Sequence, residues 1–319
     1  MKRCLYCLDE LSDPTSDYHA ACSYSFFGSE EPPKLEYSFS EMEALAKTVV
    51  SNHIAVTGVQ PKLSLSLIDE TLKKTRQKRL TVVGALGGDY ILKPPSSQYP
   101  ELPANEHLTM KMAELFGIQT VKCSLIRLRS GELAYITRRI DRKADGSKIH
   151  MLDMFQITNA VDKYKGSVER IGKALFTYSS DTLMDQLRFF EVILFCFLTG
   201  NNDMHLKNFS MILTDGKWDL SPAYDLSNVT LANPADTEEM ALTIEGKKRG
   251  ITRKTMNLLA KNLYLNAKQI SSVYERFKAR RSDAETLLNH SFLSEEGKHN
   301  YLAILSARYA ALGLDAYPS

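Results

Sequence analysis

The sequence predicts an α+β chain, with strands concentrated in the first half and helices in the second. Three observations carry this. Alternating hydrophobicity is confined mainly to residues 63–138, where Leu63, Leu65 and Leu67 are interleaved with Ser64 and Ser66. From about residue 150 the apolar residues recur at helical spacing. No internal repeat relates the halves, so the expectation is a sheet-rich N-lobe and a helical C-lobe, with a ligand cleft between them. The composition of the 319 residues, 44% apolar and 24% charged, excludes fibrous and disordered classes. Forty Lys+Arg against 38 Asp+Glu leave a net charge of +2, too little to steer the whole molecule onto nucleic acid or an anionic membrane.

The elements follow in order. Residues 1–28 contain three of the five cysteines, and Ser29-Glu-Glu-Pro-Pro-Lys34 has the composition of a linker, so a small module is expected to end there. Ser38 and Glu41 form a capping-box pair ahead of a helix over 39–52, whose apolar face is Met42, Leu45, Ala46 and Val49. The strand from Leu63 is followed by strands at 80–85 and 90–93, which meet across Gly87-Gly88-Asp89 and read as an antiparallel meander. A helix is expected over 105–116 with Gly117 beyond its end, then strands at 120–128 and 132–138 about Ser130-Gly131. Helices are expected at 182–199, at 252–279 either continuous or broken, and at 297–312. A single hairpin, 210–213 with 218–220, turns at Asp215-Gly216. The expected organisation is 1–28, 29–148 and 149–319. The apolar run Val192 to Leu198 falls far short of the roughly 20 residues that cross a bilayer. The N-terminus lacks a sustained apolar signal region, and five cysteines are too few and odd for a disulfide framework. Together these predict a cytoplasmic protein without membrane contact.

The chemistry concentrates around the hairpin. The apolar helix ends at Thr199-Gly200, and Asn201-Asn202-Asp203-Met204-His205-Leu206-Lys207-Asn208 leads into the first strand, while Tyr224-Asp225 follows the second. A loop, a hairpin and a second loop can return Asp225 beside Asn208. Protein kinases arrange an Asp for the substrate hydroxyl, an Asn five residues on for Mg²⁺ and an Asp after a short hairpin for Mg²⁺ in this way. The residue types suit the metal, because Mg²⁺ takes hard oxygen ligands from carboxylate, amide carbonyl, water and phosphate. The bland alternative is that these residues only make turns. In the first half, Thr57-Gly58-Val59-Gln60-Pro61-Lys62 could cover phosphates with backbone N–H groups. Lys93 could neutralise phosphate while Glu106 holds it, or simply be a solvated lysine.

The blocks TGVQPK, YILKP, ANEH, RRIDR, GNNDMHLKNF and PAYDLS resemble, in order and spacing over about residues 52–312, the HipA-like Ser/Thr kinases of bacterial toxin–antitoxin systems, particularly the short HipT-type members. The resemblance implies a bilobal protein-kinase-like fold, ATP with Mg²⁺, and phosphorylation of a protein, an aminoacyl-tRNA synthetase in characterised relatives. It further implies an antitoxin of HipB or HipS type, with DNA contacted only through that complex. On the family pattern Asp203 is catalytic, and Asn208 and Asp225 hold Mg²⁺. Thr57, Gly58, Lys62 and Lys93 contact phosphates, Arg138, Arg139 and Ile140 form the adenine hinge, and His205 and Tyr224 line the nucleotide. Family members commonly autophosphorylate a Ser at one or both of two alternating positions before the glycine. Those positions are Ala55 and Thr57 here, which leaves Thr57 either an autophosphorylation site or an unmodified turn residue.

Two signals stand apart. Cys4-x2-Cys7 with His19-x2-Cys22 has the ligand types and spacing of a Cys3His zinc knuckle, or else these are reduced thiols with His19 in a turn. The basic run Lys73-Lys74-Thr75-Arg76-Gln77-Lys78-Arg79 is a solvated loop, or a contact for nucleic acid or an acidic protein. The alternative to an active protein kinase is a zinc-containing nucleic-acid-binding or adaptor protein with a weakly active kinase-like body. A small-molecule kinase would share the same residues.

Overall fold

A computed structural model describes residues 2–52, 62–72, 75–83, 88–143 and 145–315. The expected α+β class is observed, and the chain divides into two compact units. One comprises residues 1–107, 121–146 and 290–292, and the other residues 108–120, 147–289 and 293–319.

The first unit is built on five antiparallel strands: β1 (Leu63–Leu72), β2 (Thr75–Val83), β3 (Tyr90–Lys93), β4 (Cys123–Arg127) and β5 (Leu133–Arg138), in the order β2-β1-β3-β5-β4. The meander expectation is corrected here, since β3 pairs with β1 and not with β2, in the register Leu63↔Leu92 and Leu65↔Tyr90. The chain re-enters the sheet against β1: Asp89 N–H donates to Leu65 O at 2.9 Å, and a Cβ on Gly88 would stand 2.4 Å from that same oxygen. Only glycine, here at φ +83°, allows so close an approach.

Alternation sets one sheet face of Leu63, Leu65, Leu80, Tyr90, Leu92 and Ile136, and this face is covered by residues 4–27. Phe26 and Phe27 of α1 (Ala20–Phe27) pack their rings on Tyr90 at 5.7 and 6.0 Å. The same segment satisfies the free edge of β4. Leu5 O accepts from Leu125 N–H at 2.9 Å and from the Ser124 hydroxyl at 3.0 Å, and the Tyr18 hydroxyl donates to Leu125 O at 2.5 Å. α2 (Phe39–Asn52) begins with the expected cap: Glu41 Oε2 accepts from Ser38 N–H at 2.6 Å.

α3 (Leu102–Leu115) starts three residues earlier than expected. Pro103 sits in its first turn, where the missing N–H is no loss. The partition between the units falls within this helix, after His107.

The second unit contains α4 (Met154–Ile157), α5 (Val168–Tyr178), α6 (Thr182–Leu198), α7 (Val229–Ala232), α8 (Arg253–Asn262), α9 (Ala267–Ala279), α10 (Arg281–Asn289) and α11 (Glu295–Ala311). Of the two forms expected over 252–279, the broken one is observed, as α8 and α9. Tyr264 adopts φ +60°, and Asn266 caps the second one by accepting from Gln269 N–H at 3.0 Å. The hairpin β7 (Ser210–Thr214) and β8 (Lys217–Leu220) gains a third strand, β6 (Met151–Asp153), which the sequence does not announce because three residues show no usable period.

The core of this unit is α6, buried continuously from Phe189 to Leu198, with Phe116 wedged between Phe195 and Phe277 at 5.6 and 4.9 Å. Among the described residues no helix is long and apolar enough to cross a membrane.

α6 also anchors the hairpin. The buried carboxylate of Asp185 accepts from Leu220 N–H and from the Ser179 hydroxyl, each at 2.7 Å. Replacing Asp185 by Ala strands the buried Leu220 N–H and the half-buried Ser179 hydroxyl. It is expected to cost about 2–4 kcal/mol, measured as a shift in the urea midpoint at unchanged m-value, with Asp185→Asn losing less. An unaltered midpoint in Asp185→Ala would remove this anchor.

Candidate active site

In the helical unit the site starts where α6 stops. Gly200 takes φ +68° and lies so close to α11 and α7 that a Cβ would stand 2.8 Å from Ile304 Cγ2 and 2.9 Å from Asn228 Oδ1. The chain can therefore leave the helix axis abruptly. Buried Asn202 donates from Nδ2 to Asp236 Oδ2 at 3.1 Å and to Glu238 O at 2.9 Å, which pins the loop just before Asp203.

Within the loop, Asn208 donates from Nδ2 to Asp203 O at 3.1 Å, and His205 N–H donates to the same oxygen at 2.8 Å. The six residues from Asp203 to Asn208 are thereby closed into a ring by the last one's side chain. Because the amide NH2 end of Asn208 is engaged, its Oδ1 is left as the acceptor end.

Asp225 reaches this loop through its neighbour. The Tyr224 hydroxyl donates to Lys207 O at 3.1 Å and sits 2.5 Å from Ser210 Oγ, so the loop after the hairpin is pinned to residues on either side of Asn208. Burial keeps the Tyr224 phenol protonated, pushing its pKa well above the ordinary value. Asp225 itself adopts φ +62°, a conformation that Asp tolerates better than most residues.

Asp203, His205, Asn208, Tyr224 and Asp225 are thus one cluster. Burial lowers the His205 pKa, against the pull of Asp203 and Asp225, so the ring is neutral at pH 7.

One member had no signal in the sequence. The Tyr164 hydroxyl donates to Asp203 Oδ1 at 2.8 Å, and its ring meets the His205 ring edge-on at 5.1 Å. Burial first, and then the Asp203 charge, raise its pKa, so it remains a donor at neutral pH. Tyr164 lies 39 residues before Asp203, and what carries it there is the loop contact from Leu206 N–H to Lys163 O at 3.1 Å.

The sheet unit holds the other expected residues. Lys93 ends β3 and is buried, with Nζ 2.5 Å from Glu106 Oε1 and 5.4 Å from the centre of the Tyr135 ring. The pairing Lys93↔Tyr135 places both on the sheet face opposite Leu92. The solvated-lysine alternative is therefore set aside.

Arg138 closes β5, and Arg139 and Ile140 follow it. Arg139 N–H donates to Asp89 O at 2.8 Å, and its guanidinium makes a two-point pair with Asp141 at 2.9 and 2.7 Å. Burial works against ionising Asp141, but the Arg139 hydrogen bonds and charge outweigh it and its pKa is lowered. Lys62 is exposed just ahead of β1, and Thr57 and Gly58 lie outside the described residues.

Cys4, Cys7, His19 and Cys22 converge as well, their ligand atoms all within 4.8 Å of one another.

The geometry can be set beside known proteins. Residues 54–285 match the family of the HipA-like C-terminal domain. A Haemophilus influenzae protein, provisionally named a kinase, is 30% identical over 212 residues, 62% of this chain and 59% of its own length. The chain spans about six tenths of the length of the curated relatives it matches. The solved complex of HipA, HipB and operator DNA from Shewanella oneidensis MR-1 matches with a TM-score of 0.66 at 22% identity, covering 83% of this chain and 68% of that one. The Helicobacter pylori proinflammatory kinase CtkA matches at 0.56 and 12% identity, covering 79% and 93%. At these identities the likeness is one of fold, a sheet-bearing unit joined to a helical one. With the family match extending over most of the sequence, from ahead of β1 into α10, the chain belongs to the HipA-like C-terminal domain family.

Proposed function

We propose that the protein is an ATP- and Mg²⁺-dependent Ser/Thr protein kinase acting as the toxin of a toxin–antitoxin pair. The observation that carries this is the ring closed by Asn208 on Asp203 together with the Tyr224 staple that delivers Asp225 to it. A turn-making role alone does not require a buried amide whose oxygen end is left to accept, beside a carboxylate on a left-handed backbone.

In this reading Asp203 orients the substrate hydroxyl and takes its proton on Oδ2, while Tyr164 holds Oδ1. Asn208 Oδ1 and the Asp225 carboxylate are hard oxygen donors that would hold Mg²⁺, which when bound neutralises charge on the transferring phosphoryl group. Lys93, fixed by Glu106, presents a point charge to the nucleotide phosphates. Thr57, Gly58 and Lys62 cover those phosphates. Arg138, Arg139 and Ile140 border adenine, and His205 and Tyr224 line the nucleotide. Thr57 is the proposed autophosphorylation site.

The protein substrate is proposed to belong to translation, an aminoacyl-tRNA synthetase being the model. The antitoxin is proposed to be of HipB type, through which alone DNA is met, a reading supported by the fold match to a HipA chain solved with HipB and operator DNA. The Cys3His cluster is proposed to take zinc.

Incubation with labelled ATP and a cell lysate, followed by phosphosite mapping, tests the activity. Asp203→Asn is expected to lower phosphoryl transfer about a hundredfold or more while MgATP affinity holds. Asp225→Asn is expected to weaken MgATP binding about tenfold or more by calorimetry. Full activity in the first variant, or unchanged affinity in the second, would overturn the assignment.

Tyr164→Phe removes only the hydroxyl that holds Asp203. It should lower kcat about three- to tenfold with the KM for ATP and the urea midpoint unchanged, because the substrate-orienting carboxylate loses the donor that fixes its position. An unchanged kcat, or a kcat lost only together with the urea midpoint, would make Tyr164 merely structural.

A further inference from the structure

The Cys/His cluster is built to hold a metal ion, and its surroundings say what that ion does. His19 Nδ1 lies 3.5 Å from Cys7 Sγ and 3.7 Å from Cys22 Sγ. A tetrahedral zinc with Zn–S of about 2.3 Å and Zn–N of about 2.0 Å spaces its nitrogen and sulfur ligands by roughly 3.6 Å.

The tautomer is set for ligation too. His19 Nε2 stands 3.0 Å from Glu10 O, a carbonyl that can only accept, so the proton belongs on Nε2 and the Nδ1 lone pair faces the three sulfurs. None of the five cysteines is tied up in a disulfide. The turn that carries the first pair is tight, closed just beyond Cys7 by Leu8 N–H donating to Cys4 O at 3.0 Å, with Leu8 held at φ +69°. A branched aliphatic residue in that region is strained, and something must hold the turn.

The segment that this cluster gathers cannot stand alone. Its one helix has eight residues, too short to be stable in water without partners. Its groups are spent on the sheet: the rings of Phe26 and Phe27 cover Tyr90 of β3, while the Leu5 carbonyl and the Tyr18 hydroxyl bond the edge of β4 at Leu125.

β3 alternates between faces, so Leu92 belongs to this buried layer while its neighbour Lys93 occupies the opposite face with Tyr135. We infer that one zinc ion, held by Cys4, Cys7, His19 and Cys22, locks residues 2–27 as the second layer of the sheet unit and thereby fixes β3, the strand that presents Lys93. The zinc clasp is then a component of the nucleotide-binding unit and not a separable appendage. Only the consequence for nucleotide rests on the kinase reading.

The test uses the full chain purified without chelator. Elemental analysis should find close to one zinc per chain, retained in His19→Cys, which keeps four ligands, and largely lost in Cys22→Ser. Hydrogen–deuterium exchange is then compared before and after zinc is withdrawn by a chelator. Amides of β3, β4 and β5 should exchange about tenfold faster without the metal, while α8 to α11 stay unchanged. Affinity for MgATP should fall in parallel.

Zinc-free protein from zinc-supplemented growth would overturn the metal site. Faster exchange confined to residues 2–27 would overturn the coupling to β3. A protein that binds no nucleotide with or without zinc, yet shows the exchange change in β3 to β5, would leave the clasp standing and sink the kinase reading instead.

Discussion

The buried carboxylate of Asp185 is the constraint on which the geometry of the helical unit rests. It sits in the first turn of α6, and through Leu220 N–H it holds the far end of the hairpin. The other end of the same helix, at Gly200, launches the loop that carries Asp203 and Asn208. One rigid element thus determines both the loop before the hairpin and the loop after it. Two groups that must cooperate across a hairpin need this kind of common support, since errors of about an ångström already cost catalytic rate. The continuous burial of α6 from Phe189 to Leu198 supplies the rigidity.

The sheet unit solves a comparable problem with different means. A buried lysine is costly unless its charge is matched, and Glu106 at 2.5 Å provides the match for Lys93. The pair is reliable only if β3 and the start of α3 keep their places. β3 is four residues long, flanked by β1 and β5, and roofed on its other face by aromatic rings from α1. What reads in the sequence as a small module of its own is, in the fold, packed into the core of the sheet unit.

Much of the candidate site was legible because its parts are close in sequence. From Asn201 to Asp225 the residues interact within a loop, a tight hairpin and a second loop, so spacing and turn chemistry brought Asp203, Asn208 and Asp225 together, while His205 and Tyr224 were indicated only by the family resemblance. The Cys3His pairs were legible for the same reason, their spacing being a local geometric requirement. Tyr164 was not, because a tyrosine 39 residues upstream has no spacing relation to Asp203 and arrives only through a loop contact. The break allowed for within 252–279 was not placed, since Leu263 and Leu265 continue the apolar pattern straight through Tyr264.

By itself the sequence determined the α+β class, the longer helices, the position of most strands, the hairpin, and where the Asp, Asn, Cys and His residues of the two clusters lie along the chain. These follow from periods of 2 and 3.6 residues and from capping and turn residues, all of which act over a few positions. Tertiary structure alone decided that β1 and not β2 lies beside β3, that residues 4–27 close over the sheet, and that Tyr164 holds Asp203. Those outcomes depend on which distant apolar face covers which, and on the approach that Gly88 allows to Leu65. Burial of that kind is non-directional and leaves no periodic trace in the chain.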